Sequence, residues 1–267
     1  MVELLPRRRG RLSHPKSTTN MTDFSTWHWI LLVLGAVIAG FSKTGIPGTS
    51  ILFVAIFANV LPAKAATGVV LPLLIFADLF SAFVYRKHLA WRRVGVLLPW
   101  ALGGIVLGWL ALGLIDDATA ARVIGVIIFA MLALHVWRQR RGTDEELAKV
   151  PRWLGPVAGV LAGFTTTVAN AAGPVMVLYL LAMRLPKLEF LGTSAAFFLT
   201  INWLKVPFVV QLGLINAESL VLNLWLLPAV TVGALFGRWV VTRVNQRVFE
   251  MFALTLTAAA GAKLLFF

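Results

Sequence analysis

The chain has 267 residues, 59% of them hydrophobic and only 13% charged, with a formal net charge of +13. Soluble domains carry about 25% charged residues, so a water-soluble globule is excluded, and the long apolar runs read as helices in a bilayer. The basic excess sits in short clusters between those runs (7–11, 86–93 and 138–141), and no cysteine is present. Lys and Arg at membrane exits set orientation and meet anionic headgroups, which argues against a nucleic-acid partner. Without thiols there is no disulfide, thiolate metal site or iron–sulfur cluster.

In chain order, residues 1–20 are basic with no apolar stretch behind them. They give no secretory signal and are expected to be a disordered basic tail or an over-called start. A first transmembrane unit, 21–137, holds apolar runs at 27–41, 48–61, 64–85, 94–115 and 119–137. A polar cytoplasmic linker is expected at 138–152. A second unit, 153–267, holds runs at 153–169, 174–185, 188–210, 219–241 and 247–267. Six of the ten are long enough to cross a hydrocarbon core of about 30 Å. The pairs 27–41/48–61 and 153–169/174–185 are short, about 18–26 Å per member at about 1.5 Å per residue. Each pair is split by glycine and proline. Tryptophans such as Trp27, Trp29, Trp91 and Trp153 lie near run ends and read as interface anchors.

The two units match. "AGF" at 39–41 recurs at 162–164, and "LP" at 61–62 recurs at 185–186. Gly68 falls on Gly192 and Asp78 on Asn202. "LLPWALGGIVLG" (97–108) falls on "LLPAVTVGALFG" (226–237), with an offset that drifts only from 123 to 129. The expected fold is therefore all-α: a polytopic integral membrane protein of two repeated halves, each with a broken or re-entrant helix pair. If each short pair goes in and comes back, each half crosses an odd number of times and the second copy is inverted. The basic residues at 86–93, 138–141, Arg184/Lys187 and Arg243/Arg247 then share one face, and Asp116–Asp117 lies on the other. That count is preferred. Treating each pair as one broken span would make the copies parallel and place Arg7–Arg11 inside instead.

Backbone in lipid must be satisfied internally, so a break at membrane depth survives only where it is buried or lines a cavity. Paired interruptions at corresponding places in two repeats point to a transporter's binding site. In "SKTGIPGTS" (42–50), Pro47 suits the first turn of a helix spanning 48–61, and Gly45 and Gly48 permit a tight turn. Its N-terminal N–H groups would face the midplane and favour an anion. "TTTVANAAGPV" (165–175) offers the same from the other side, with Pro174 in the equivalent turn. Lys43 and Lys205 are cations inside spanning runs, a costly placement that usually serves a site or a pair. The expected substrate-binding residues are Lys43, Thr44, Gly45, Gly48, Thr49, Thr166, Asn170, Gly173 and Lys205, with Asp78 as the proton-coupling acid. The competing reading makes the breaks packing devices, lets Lys43 snorkel to an interface, and pairs Lys205 with Asp78 structurally.

The broken glycine-containing segment after "AGF", the "LP" before the next helix, the Tyr85-Arg86 step followed by Trp91, and the "LLPxxLxGxxxG" run resemble the sulfite exporter TauE/SafE family of membrane permeases. The resemblance covers nearly the whole chain from about residue 27. It implies a bacterial inner-membrane transporter of two repeated halves that moves small sulfur-containing anions such as sulfite and sulfonates. Many members carry a run of glycines where this chain has Ile46-Pro47-Gly48-Thr49, which separates the substrate question from the scaffold.

The function expected is thus secondary transport of a small anion, with the lipid bilayer as the other partner, a homo-oligomer left open and no cofactor. No G-x-x-x-x-G-K-[ST] motif is present, so a gradient must supply the energy. The alternatives are a non-transporting scaffold or assembly factor, or an anion channel. A membrane enzyme is disfavoured, because His14, His28, His88 and His135 are scattered and show no metal-ligand spacing.

Overall fold

The computed structural model describes residues 24–61, 63–111, 114–141 and 150–266. The tail at 1–20, Pro62 and most of the linker lie outside them. The described residues form α-helices and short connections, with no strand among them. The first five helices are α1 (Thr26–Thr44), α2 (Ser50–Val60), α3 (Ala63–Val84), α4 (Trp91–Ala111) and α5 (Asp117–Arg141). The next five are α6 (Leu154–Ala169), α7 (Ala172–Ala182), α8 (Lys187–Gln211), α9 (Ala217–Arg243) and α10 (Gln246–Phe266). Six are long and apolar enough to cross a membrane: α1, α4, α5, α8, α9 and α10.

Several boundaries differ from the sequence expectation. The run predicted to end at 41 continues as helix to Thr44. Ser42 Oγ donates to the Ala39 carbonyl at 2.8 Å within the helix, and the Thr44 hydroxyl is met inside the bundle, so neither polar side chain breaks the helix. The returning helix then starts at Ser50 with Thr49 as its cap, so Pro47 precedes α2 and does not sit in its first turn. Pro174 does lie in the first turn of α7. At the other margin α5 continues through Arg141, beyond the apolar run that ends at 137.

Each short pair folds back on itself. Gly35 of α1 lies against Phe57 of α2, at nearly equal distances along the chain from the break, as a hairpin requires. In the second pair Gly155 of α6 is near the Tyr179 hydroxyl of α7. The hairpins are then clamped by helices from elsewhere in the chain. A Cβ on Gly40 of α1 would stand 2.0 Å from the Val230 carbonyl of α9, and one on Gly233 of α9 would stand 1.9 Å from the Val37 carbonyl. A Cβ on Gly163 of α6 would stand 2.0 Å from the Ala101 carbonyl of α4, and one on Gly104 would stand 2.1 Å from the Val160 carbonyl. Only glycine permits backbones to meet this closely. Shifted by 123 in the hairpin and 129 in its clamp, the first pair of contacts falls on the second.

The connections sort by end. Arg93 pairs with Glu189 at 3.1 Å, and Lys187 Nζ donates to the Val241 carbonyl at 2.7 Å and to that of Val244. Gln246 Nε2 donates to the Leu185 carbonyl at 3.1 Å. These contacts gather the α3–α4, α7–α8 and α9–α10 connections at one end, where His135 of α5 also faces Glu250 of α10. Gly68 of α3 abuts Leu214, after α8, at the opposite end. There the first half of α5 meets the last turns of α10, Gly125 beside Leu265. α1 runs parallel to α9 and α6 parallel to α4, so the two hairpins enter from opposite ends.

Candidate functional site

The tips of both hairpins meet in the middle of the bundle. α1 ends there with four carbonyls that its own helix cannot satisfy, and one face of α3 supplies partners. Asp78, Ser81 and Tyr85 stand at i, i+3 and i+7, which places them in a row. Ser81 Oγ donates to the Lys43 carbonyl at 2.7 Å, and the Tyr85 hydroxyl donates to the Thr44 carbonyl at 2.5 Å. The Asp78 carboxylate takes the Lys43 ammonium at 2.8 Å. Its other oxygen accepts from Asn202 Nδ2 of α8 at 2.8 Å. Asp78 is fully buried, a position tenable for a carboxylate only with such partners. Lys43 Nζ also stands 4.1 Å from the centroid of the Phe198 ring, whose face favours a cation.

The second tip ends differently. Asn170 closes α6 in the left-handed conformation, φ 52°, which asparagine tolerates better than most residues. Its N–H bonds the Thr166 carbonyl at 3.2 Å, and that of Ala171 bonds the Thr165 carbonyl at 3.0 Å. Lys205 of α8, only 9% exposed, lies behind this cap. Its ammonium donates to Asn170 Oδ1 at 2.5 Å, Thr166 Oγ1 at 3.2 Å and the Thr166 carbonyl at 3.4 Å. Three donors thus meet three neutral acceptors.

Between the tips is a cavity of about 50 Å³. A water needs about 10–15 Å³ on this measure, so the space suits a ligand of a few heavy atoms. Of the residues expected to bind substrate, Lys43, Gly48, Thr166, Asn170 and Gly173 line it. Gly173 opens α7 directly against Ser50 at the start of α2, so the two helix N-termini touch across the wall. Gly48, at φ +94°, makes the turn that aims α2 inward.

The structure places four of the expected residues elsewhere. Thr44 is fully buried and donates to the Ala234 carbonyl at 2.6 Å, so it fixes α1 on α9. Gly45 is the contact point for Gly237 of that helix. Thr49 Oγ1 turns back to the Ile46 carbonyl at 3.0 Å. Lys205 acts from behind the wall, through the two side chains it holds. Ser50, Ser194, Phe198 and Asn202 line the cavity without having been singled out as ligands. For Asn202 the signal was present, since it occupies the place of Asp78 in the second half; Ser81 and Tyr85 could have been found from their spacing after Asp78. Among the described residues no group of three or more His, Cys, Asp or Glu could hold a metal ion.

Broken hairpins that meet from opposite ends of a multi-pass helical bundle, around a cavity with a buried cation, define a membrane transporter. The sulfite exporter TauE/SafE family model matches residues 32–264, and the chain belongs to that family. This is a family of transporters of sulfur anions and not of enzymes. Comparison with curated proteins gives no match, and comparison with solved structures gives none.

Proposed function

We propose that the protein is a secondary transporter of the bacterial inner membrane that carries sulfite, a sulfonate or a related small sulfur anion through the cavity between the two hairpin tips. One observation carries this reading. Lys205 takes a lone pair on Thr166 Oγ1 and on Asn170 Oδ1, which leaves the Thr166 O–H and the Asn170 amide N–H to serve the cavity. With Lys43 and the two touching helix N-termini, the wall is rich in donors, and an oxyanion needs donors.

Two inverted repeats make alternating access natural for such a site. The matching contacts Gly40–Val230 and Gly163–Ala101, and the entry of the hairpins from opposite ends, support that arrangement. The end that gathers Arg93, Lys187 and Gln246 is the cytoplasmic one by the positive-inside rule. Asp78 is the coupling acid in this scheme: it sits between Lys43 and Asn202, and a proton on its carboxyl would release Lys43 toward the anion.

The test is uptake of sulfite and of small sulfonates into vesicles reconstituted with the purified protein. Lys43→Met should reduce uptake at least tenfold while the protein still elutes as a folded species. Wild-type rates in that variant would remove Lys43 from the site.

A further inference from the structure

The ion set around the cavity is unequal in a way that defines the charge of its ligand. Two ammonium groups, Lys43 and Lys205, face one carboxylate, Asp78. Asp78 bonds Lys43 directly, whereas the hydrogen-bond partners of Lys205 are all neutral. Apart from the uncharged phenols Tyr85 and Tyr179, the remaining buried titratable side chain among the described residues, His135, lies at the far end of α5 beside Arg138 and Glu250 and does not enter this balance. The helix dipoles do not alter it either. At each break the positive start of one helix adjoins the negative end of another: α2 follows α1, and α7 follows α6. Counted at their ordinary charges, these groups leave the site with one uncompensated positive charge.

A net charge held in a low-dielectric interior is costly, and the cost grows with the square of the charge. A ligand with one negative charge brings the set to neutrality. A ligand with two leaves it negative, adds repulsion from the Asp78 carboxylate, and loses far more hydration on entry. We infer that the cavity selects monovalent oxyanions, such as hydrogensulfite or a simple monosulfonate, and rejects divalent anions of the same size while Asp78 is ionised. This rests on the anion-transport reading above and specifies which anions that site accepts.

Methanesulfonate and sulfate test it, because both are small tetrahedral anions and they differ by one charge at neutral pH. Binding is read from the shift of the thermal unfolding midpoint of the detergent-purified protein with ligand concentration, at constant ionic strength. Wild-type protein should bind methanesulfonate at least tenfold more tightly than sulfate. Asp78→Asn, which removes the carboxylate but can keep a hydrogen bond to Asn202, should reverse the order and favour sulfate at least tenfold. The wild-type comparison stands by itself if the variant does not fold. Equal or tighter sulfate binding by the wild type, abolished in Lys43→Met, would overturn the charge rule and leave the site in place. No shift of the wild type with either anion would remove both the charge rule and the anion site.

Discussion

The two hairpin tips solve one problem with interchanged parts. Each ends a helix inside the bundle and must satisfy carbonyls that water cannot reach. At the first tip the cation belongs to the hairpin, and α3 contributes a hydroxyl: Lys43 offers its carbonyl to Ser81. At the second the hydroxyl belongs to the hairpin, and α8 contributes the cation: Thr166 offers its carbonyl to Lys205. Positions 43 and 166, and positions 81 and 205, correspond under the offsets of 123 and 124. The hydrogen-bond scheme is thus shared while the charge changes sides. The geometry of a break and its electrostatics are separable: either helix can supply the charge, provided that the carbonyl is met.

The sharpest way to break the comparison is at its midpoint, where Asp78 and Asn202 join α3 to α8. Asp78→Leu should leave Lys43 buried without a counter-charge and destabilise the protein by about 3–5 kcal/mol, read as a large fall in the thermal midpoint. Next come the paired clamps. Gly40→Ala and Gly163→Ala each drive a methyl group against a carbonyl, and should cost similar amounts, about 1–3 kcal/mol each. Gly103→Ala serves as the control: no atom lies within 4 Å of its Cβ position. It should gain up to about 1 kcal/mol from helix propensity. Unequal losses at Gly40 and Gly163 would show that the two crossings are not equivalent in energy. The smallest loss is at Tyr85, which donates to Thr44 only in the first half, its counterpart being Val209. Tyr85→Phe should cost about 1–2 kcal/mol through the orphaned carbonyl. Hydrogen exchange should rise around Thr44 and stay unchanged around Asn170.

Much of this architecture could be read from the sequence because bilayer physics writes it coarsely. Twenty-residue apolar runs and Gly/Pro interruptions at matching offsets are visible without coordinates, and so is a lysine where no lysine is free to be. What was hidden has a common cause. The end of α1 at Thr44 goes with Ser42 bonding within the helix and Thr44 bonding across to α9, and hydroxyl residues give no sign in the sequence of choosing either over solvent or ligand. The position of Lys205 behind the wall depends on which neighbour it meets across the bundle, and 35 residues separate it from Asn170. Intramembrane charge is conspicuous in a sequence. Its direction is a tertiary fact.

The glycine crossings have a mechanical consequence. The hairpin α1–α2 is bound backbone to backbone to α9, and α6–α7 to α4 in the same way. Motion that keeps those contacts must carry α9 with the first hairpin and α4 with the second. In the proposed transport cycle the moving bodies would therefore not be the two halves of the chain, because each would be assembled from both. A break in the covalent chain between α5 and α6 would leave each body's defining contact intact, since neither clamp depends on the connection there.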